Sequence, residues 1–161
     1  SAEPTAGDIM QREVITINDT DTLQDAMQLM TENHVTGLPV VNSKGHCIGV
    51  ITATDILGYE QDHSEFTMEA NANVARHFNP EKQQWESVRL TSFALEEFGE
   101  VTVSEVMTRD LISVRIDAPL SKVARTMRDA RIHRVLVLNA ENRLKGIISA
   151  FDFVNLYADK N

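Results

Sequence analysis

The sequence predicts an α+β fold in which one β-α-β-β-α unit occurs twice, the two copies packed sheet to sheet with pseudo-twofold symmetry. Three observations predict it. The first is a duplication at constant spacing: Met10 and Met107, Met30 and Met127, Gly49 and Gly146, Thr52 and Ser149, and Asp55 and Asp152 each lie 97 residues apart. The second is that each copy carries short β-branched runs around one stretch of helical periodicity. The third is size. A unit of about 55 residues exposes an apolar sheet face that it cannot cover alone, and two such units bury those faces together.

The elements follow in order. A β-branched run opens each copy, Val14–Ile17 or Leu111–Ile116. Turns with helix-capping chemistry come next, at Asp19-Thr20-Asp21 and Asp117-Ala118-Pro119. An amphipathic helix then buries Leu23, Ala26, Met27 and Met30, or Leu120, Val123, Ala124 and Met127, at the spacing of one helix face. Two strands follow, Leu38–Val41 with Ile48–Ile51 and Val135–Leu138 with Leu144–Ile148, joined by the polar turns Asn42–Gly45 and Asn139–Asn142. A second helix begins near Thr52 or Ser149. The organisation is therefore repeat 1 over 1–58, an acidic, partly helical insert over 59–100, and repeat 2 over 101–161. In the insert, 64–77 has helical composition, Asn79-Pro80 breaks it, and Trp85, Val88, Leu90, Phe93, Leu95 and Phe98 predict docking on the module.

Composition excludes several classes. The chain has 161 residues, 42% apolar and 24% charged, which is globular rather than disordered or fibrous. No apolar run approaches the roughly 20 residues that cross a bilayer, and the first residues lack a signal-peptide pattern. Cys47 is the single cysteine, so no internal disulfide forms, and a reducing, cytoplasmic setting is expected. The net charge of −9 disfavours nucleic acid and is unevenly spread. Residues 1–100 carry 5 basic and 17 acidic side chains, whereas 101–161 carry 10 basic and 7 acidic. A small polyanion finds its best field in the last third.

Two motif pairs carry chemistry. Thr52-x-x-Asp55 and Ser149-x-x-Asp152 read as capping boxes, in which hydroxyl and carboxylate satisfy helix N–H groups. They also read as a nucleotide grip: the helix start suits a phosphate, and a carboxylate accepts both vicinal hydroxyls of a ribose. Ile132-His133-Arg134 adds a guanidinium shaped for phosphate oxygens, where the first copy has Thr36-Gly37. The two corners are thus chemically unequal. Lys122, Arg125, Arg128 and Arg131 read as a solvated basic face. His34, His46, His63 and His77 lack metal-ligand spacing, and no phosphate loop or catalytic triad has local support, so neither a metal nor catalysis is expected.

Asp8-Ile9-Met10 with Val14–Ile17, Val35–Val41 and Gly49–Asp55, with their partners 97 residues later, resemble a tandem pair of CBS (cystathionine β-synthase) domains, a Bateman module. The resemblance implies two clefts and an adenosine-containing regulatory ligand: AMP, ADP, ATP or S-adenosylmethionine. It implies that Asp152 holds a ribose, that Ser149 lies near the phosphates or ribose, and that His133 and Arg134 contact phosphate. Ile15, Val35 and Thr36 are implied to line the adenine there. In the second cleft it implies Asp55 and Thr52, with Ile112 and Ile132. Homodimers are common among such pairs. The expected function is a non-enzymatic adenine-nucleotide sensor controlling a partner protein or an oligomeric state. The alternative is a constitutive dimerisation or docking module with no physiological ligand, and a nucleotide hydrolase ranks third.

Overall fold

The computed structural model describes residues 2–62, 78–79, 84–85 and 99–160. In chain order the elements are α1 (Ala6–Ile9), β1 (Ile17–Asn18), α2 (Leu23–Asn33), β2 (Gly37–Val41), β3 (Cys47–Thr52) and α3 (Ala53–Asp62), then β4 (Phe78–Asn79) and β5 (Gln84–Trp85). The second copy follows as α4 (Val103–Val106), β6 (Ser113–Arg115), α5 (Leu120–Ala130), β7 (Arg134–Leu138), β8 (Leu144–Ser149) and α6 (Ala150–Ala158). Two three-stranded sheets result, ordered β1-β2-β3 and β6-β7-β8, and β4 pairs with β5 antiparallel. In the second sheet β6 runs parallel to β7, and β8 antiparallel to it. The expected helix over 64–77 and the apolar positions 88–98 lie outside the described residues.

The chain divides into two compact units. Unit 1 holds Ser1–Thr16, Val41–Gly49 and Arg109–Asn161; unit 2 holds Ile17–Val40 and Val50–Thr108. The body of each repeat is therefore completed by the residues that lead into the other one. In unit 1 the Ala6 and Gly7 N–H groups donate to the Ala118 and Ile116 carbonyls at 2.8 and 2.9 Å, and Leu120 N–H donates to the Pro4 carbonyl at 3.0 Å. Unit 2 repeats the pattern. Val103 and Ser104 donate to Asp21 and Asp19 at 2.7 and 3.1 Å, and Leu23 donates to Val101 at 2.9 Å. Every one of these residues is the counterpart of its equivalent at the 97-residue spacing. Ala6 and Val103 are fully buried, which fixes both lead-in helical turns.

The core of unit 1 joins Ala6 and Met10 to Val114, Leu120, Val123, Met127, Val135, Val137 and Ile148. Unit 2 buries the matching Ile17, Leu23, Ala26, Met30, Leu38, Val40, Ile51 and Val103. Met27 and Ala124, expected in the cores, are half-buried and exposed respectively. Each sits beside the centre of the buried helix stripe, where its helix turns toward solvent.

Helix starts depart from the expected caps. Thr22, one residue past the expected acidic turn, caps α2 by accepting from Asp25 N–H at 3.1 Å. Pro119 precedes α5 and offers no side-chain cap. Glu3 supplies the acceptors instead, taking the Ser121 N–H at 2.8 Å and the Ser121 hydroxyl at 3.0 Å. Both helices end on a left-handed residue, His34 (φ 55°) and Arg131 (φ 57°), after which Val35 and Ile132 return their N–H to Met30 and Met127. The strand hairpins also match. The Asn42 and Asn139 side chains each accept two backbone N–H groups at 3.0 Å, and Gly45 and Asn142 take positive φ at the turn.

The opening strands are shorter than expected. β1 covers Ile17–Asn18 rather than beginning at Val14, and β6 covers Ser113–Arg115 rather than 111–116. Parallel pairing of β6 begins at Ser113 opposite Leu136, so Leu111 and Ile112 have no ladder partner.

Candidate functional site

The corner between β8 and α6 is built by strand register. Arg134 stands directly opposite Ser149 in the antiparallel β7–β8 pair, so their side chains share one face of the sheet about 5 Å apart at the backbone. Ser149 then becomes the N-cap of α6. Its N–H donates to Asp152 Oδ2 at 2.8 Å, and the Asp152 N–H donates to Ser149 Oγ at 3.3 Å. The capping box is formed, and it leaves chemistry to spare. The Ser149 hydroxyl accepts one hydrogen bond and still has a proton to donate. Each carboxylate oxygen of Asp152 keeps a further lone pair. The Ala150 N–H donates to the His133 carbonyl at 2.8 Å, which ties the segment before β7 to the start of α6.

Unit 2 repeats this corner with other side chains. Thr52 N–H donates to Asp55 Oδ2 at 3.0 Å, Asp55 N–H donates to Thr52 Oγ1 at 3.1 Å, and Ala53 N–H donates to the Thr36 carbonyl at 2.8 Å. Gly37 takes the place of Arg134. A Cβ there would meet Thr52 Cγ2 at 3.5 Å, ordinary contact distance, so nothing steric demands glycine.

Two residues outside the sequence expectation complete the corners. Gln11 Nε2 donates to Asp152 Oδ1 at 3.0 Å, and Thr108 Oγ1 donates to Asp55 Oδ1 at 3.0 Å. The two are themselves 97 residues apart, each directly after a duplicated methionine, and that position was the one signal available in the sequence. Their backbones are held alike. Gln11 exchanges hydrogen bonds with Ile147 at 2.8 and 2.9 Å, and Thr108 exchanges two with Val50 at 2.9 Å. Gly146 permits this approach, since a Cβ on it would lie 2.7 Å from both the Gln11 carbonyl oxygen and Met10 Sδ.

The remaining expected site residues are placed as follows. In unit 1, Ser149, Asp152 and Arg134 come together, with Arg134 exposed. His133 is also exposed, and Ile15 belongs to the same unit at 38% exposure. Val35, half-buried, and Thr36, exposed, belong to unit 2 with Thr52 and Asp55. Ile112, 44% exposed, belongs to unit 1, as does Ile132, which packs on that unit's core.

His133 also lines a groove of about 450 Å³ between α5 and α6, with Ala124, Met127, Arg128, Arg131, Ile132, Ala150 and Phe153. Its floor is apolar and its rim cationic. The counterparts of Arg128 and Arg131 in repeat 1 are Thr31 and His34. On α6, Phe151, Val154 and Tyr157 are exposed by 66%, 56% and 80%. Among the described residues no three His, Cys, Asp or Glu side chains group as metal ligands. No helix among them is long and apolar enough to cross a membrane.

The chain belongs to the CBS domain family, which it matches over residues 6–62 and 103–159. It is 31% identical over 153 residues to the uncharacterized protein MJ1404 of Methanocaldococcus jannaschii, covering 94% of this chain and 31% of the length of that relative. In structure it is similar to CBSX2 of Arabidopsis thaliana solved in complex with AMP, with a TM-score of 0.66, 22% identity and 96% of each chain covered. It is also similar to the CBS domain pair of protein MJ0100 solved with 5-methylthioadenosine and S-adenosyl-L-methionine. There the TM-score is 0.62 and the identity 22%, with 99% of this chain and 100% of that one covered. The repeated α+β architecture is that of a CBS domain pair.

Proposed function

We propose that this CBS domain pair is a non-catalytic sensor of adenosine-containing ligands, with its principal site at the Ser149–Asp152 corner. Asp152 accepts the ribose hydroxyls, Ser149 donates to the ribose or phosphate, and Arg134 and His133 take the phosphate. The observation that carries the reading is the register of Arg134 opposite Ser149, the residue whose capping box with Asp152 starts α6, so an arginine and a helix-capping carboxylate belong to one corner. A purine mononucleotide presents that combination of diol and anion. The similar structures solved with AMP, 5-methylthioadenosine and S-adenosyl-L-methionine support the adenosine class. The Asp55 corner, with Gly37 in place of the Arg, favours a ligand without phosphate.

Calorimetry with AMP and adenosine tests the assignment. Asp152→Ala weakens both ligands by about 1–3 kcal/mol, the range for hydrogen bonds to a charged group. Arg134→Ala, at an exposed position, weakens AMP and leaves adenosine unchanged. Wild-type affinity in both variants rejects the site.

The output of the sensor is a homodimer with the α5–α6 face at its interface. α6 has no buried residue; its Ala150 and Phe153 line a groove rimmed by Arg128, Arg131 and His133, and its Phe151, Val154 and Tyr157 are exposed. A second copy, whose first 100 residues are strongly acidic, complements that rim. Sedimentation of Tyr157→Glu reads this out: loss of the dimer is expected, and an unchanged dimer removes α6 from the interface.

A further inference from the structure

We propose that Gln11 sets the affinity of the Asp152 site, because its side-chain amide already hydrogen-bonds the carboxylate oxygen that a ribose hydroxyl takes. The proposal rests on the nucleotide reading above and adds a competitor from within the chain.

The two oxygens of Asp152 are not equivalent. Oδ2 accepts the Ser149 backbone N–H at 2.8 Å, and releasing it means opening the first turn of α6. Oδ1 accepts only a side chain, Gln11 Nε2 at 3.0 Å, among the contacts of this corner. Oδ1 keeps a second lone pair, but an oxygen that already accepts one hydrogen bond is the weaker acceptor for another, so a ligand hydroxyl gains its strongest acceptor by displacing that amide. The displacement leaves the backbone in place. Gln11 is held by its two hydrogen bonds to Ile147, Met10 before it is buried in the unit 1 core, and Gly146 leaves room for the pair. The Gln11 side chain is exposed, so its amide swings into water, where its hydrogen bonds are satisfied.

Thr108 occupies the matching place on Asp55 with a shorter arm. It has a single side-chain torsion and a hydroxyl that both donates and accepts. A ligand at that corner can hydrogen-bond to the Thr108 oxygen as well as to the carboxylate, so there the lead-in residue is a neighbour of the ligand as much as a rival. This difference in reach, amide against hydroxyl, thus separates a competitive corner from a permissive one.

The experiment is an adenosine titration by calorimetry of the full chain, comparing wild type with Gln11→Ala and with Gln11→Met, which keeps the side-chain length without the amide. Adenosine is the probe because it carries the ribose and no phosphate. Both variants are expected to bind about 3- to 10-fold more tightly, since one charge-assisted hydrogen bond no longer has to be exchanged. In an Asp152→Ala background the gain disappears. In wild type the Gln11 side-chain amide resonances move in proportion to bound adenosine. Equal or weaker binding by Gln11→Ala and Gln11→Met, with wild-type binding intact, makes Gln11 a positioning residue for Asp152 and overturns the competition while leaving the nucleotide site standing. Absence of adenosine and AMP binding in all three proteins overturns the nucleotide reading, and the competition with it.

Discussion

The corners at Thr52–Asp55 and Ser149–Asp152 share one backbone and differ in charge. Both have a hydroxyl–carboxylate capping box, a strand hairpin closed by an asparagine, and a left-handed residue at the same place ending α2 or α5. The side chains that face solvent have parted: Gly37 against Arg134, Thr36 against His133, Thr31 against Arg128, Thr108 against Gln11. The contrast teaches where a duplicated fold is free to change. Buried positions are tied to many neighbours and stay paired, as Ile51 with Ile148 and Leu23 with Leu120 do. Exposed positions carry almost no packing energy, so the chemistry of one corner can diverge while its scaffold stays the same.

The largest expected effect tests the shared scaffold. Ile51→Ala and Ile148→Ala each remove a fully buried side chain at equivalent places and cost about 2–5 kcal/mol in urea unfolding. Clearly unequal losses would break the equivalence. Next comes the close approach at Gly146. Gly146→Ala places a methyl 2.7 Å from the Gln11 carbonyl oxygen and Met10 Sδ, with a loss of about 1–3 kcal/mol in the same assay.

Grafting the missing cation sharpens the comparison from the other side. Gly37→Arg copies Arg134 into the first corner, where the backbone accepts a side chain. AMP is expected to gain about tenfold at that corner, roughly 1.4 kcal/mol, with adenosine unchanged. A graft that binds AMP no better would mean that the guanidinium is not what separates the corners.

The smallest effect is a pH dependence in the lead-in to repeat 2. Glu105 is held below the usual carboxylate range, first by the Thr102 backbone N–H at 2.7 Å and then by the Thr102 hydroxyl at 3.0 Å. A carboxyl depressed in the folded state stabilises above its unfolded pKa, and that contribution is lost as pH falls through the folded value. Glu105→Gln should flatten the acid limb of the stability curve by slightly lowering stability at neutral pH, with little change at low pH, where the wild-type carboxyl is protonated.

Much of this was legible in the sequence, for physical reasons. Helices α2 and α5 announced themselves because Leu23, Ala26 and Met30, and Leu120, Val123 and Met127, are core residues at helical spacing. Hydroxyl and carboxylate three residues apart marked the starts of α3 and α6. Strand ends were less legible: Val14 and Leu111 have the right residue type, but pairing stops where no neighbour continues. The cap of α5 was hidden because Glu3 lies 118 residues away from Ser121. Gln11 was hidden similarly. It meets Asp152 across 141 residues, and no local pattern distinguishes a glutamine that grips a carboxylate from one that faces water.

The exchanged lead-ins have a consequence for any attempt to halve the molecule. Severed between residues 62 and 99, each fragment would carry the strap that its sibling needs and lack its own. Ala6 and Val103, both sealed from solvent in the intact chain, would be left on the wrong pieces. The fragments should be poorly soluble when produced singly and recover native circular dichroism only when mixed in equal amounts. The repeat that can be counted in the sequence is thus not the smallest piece that folds.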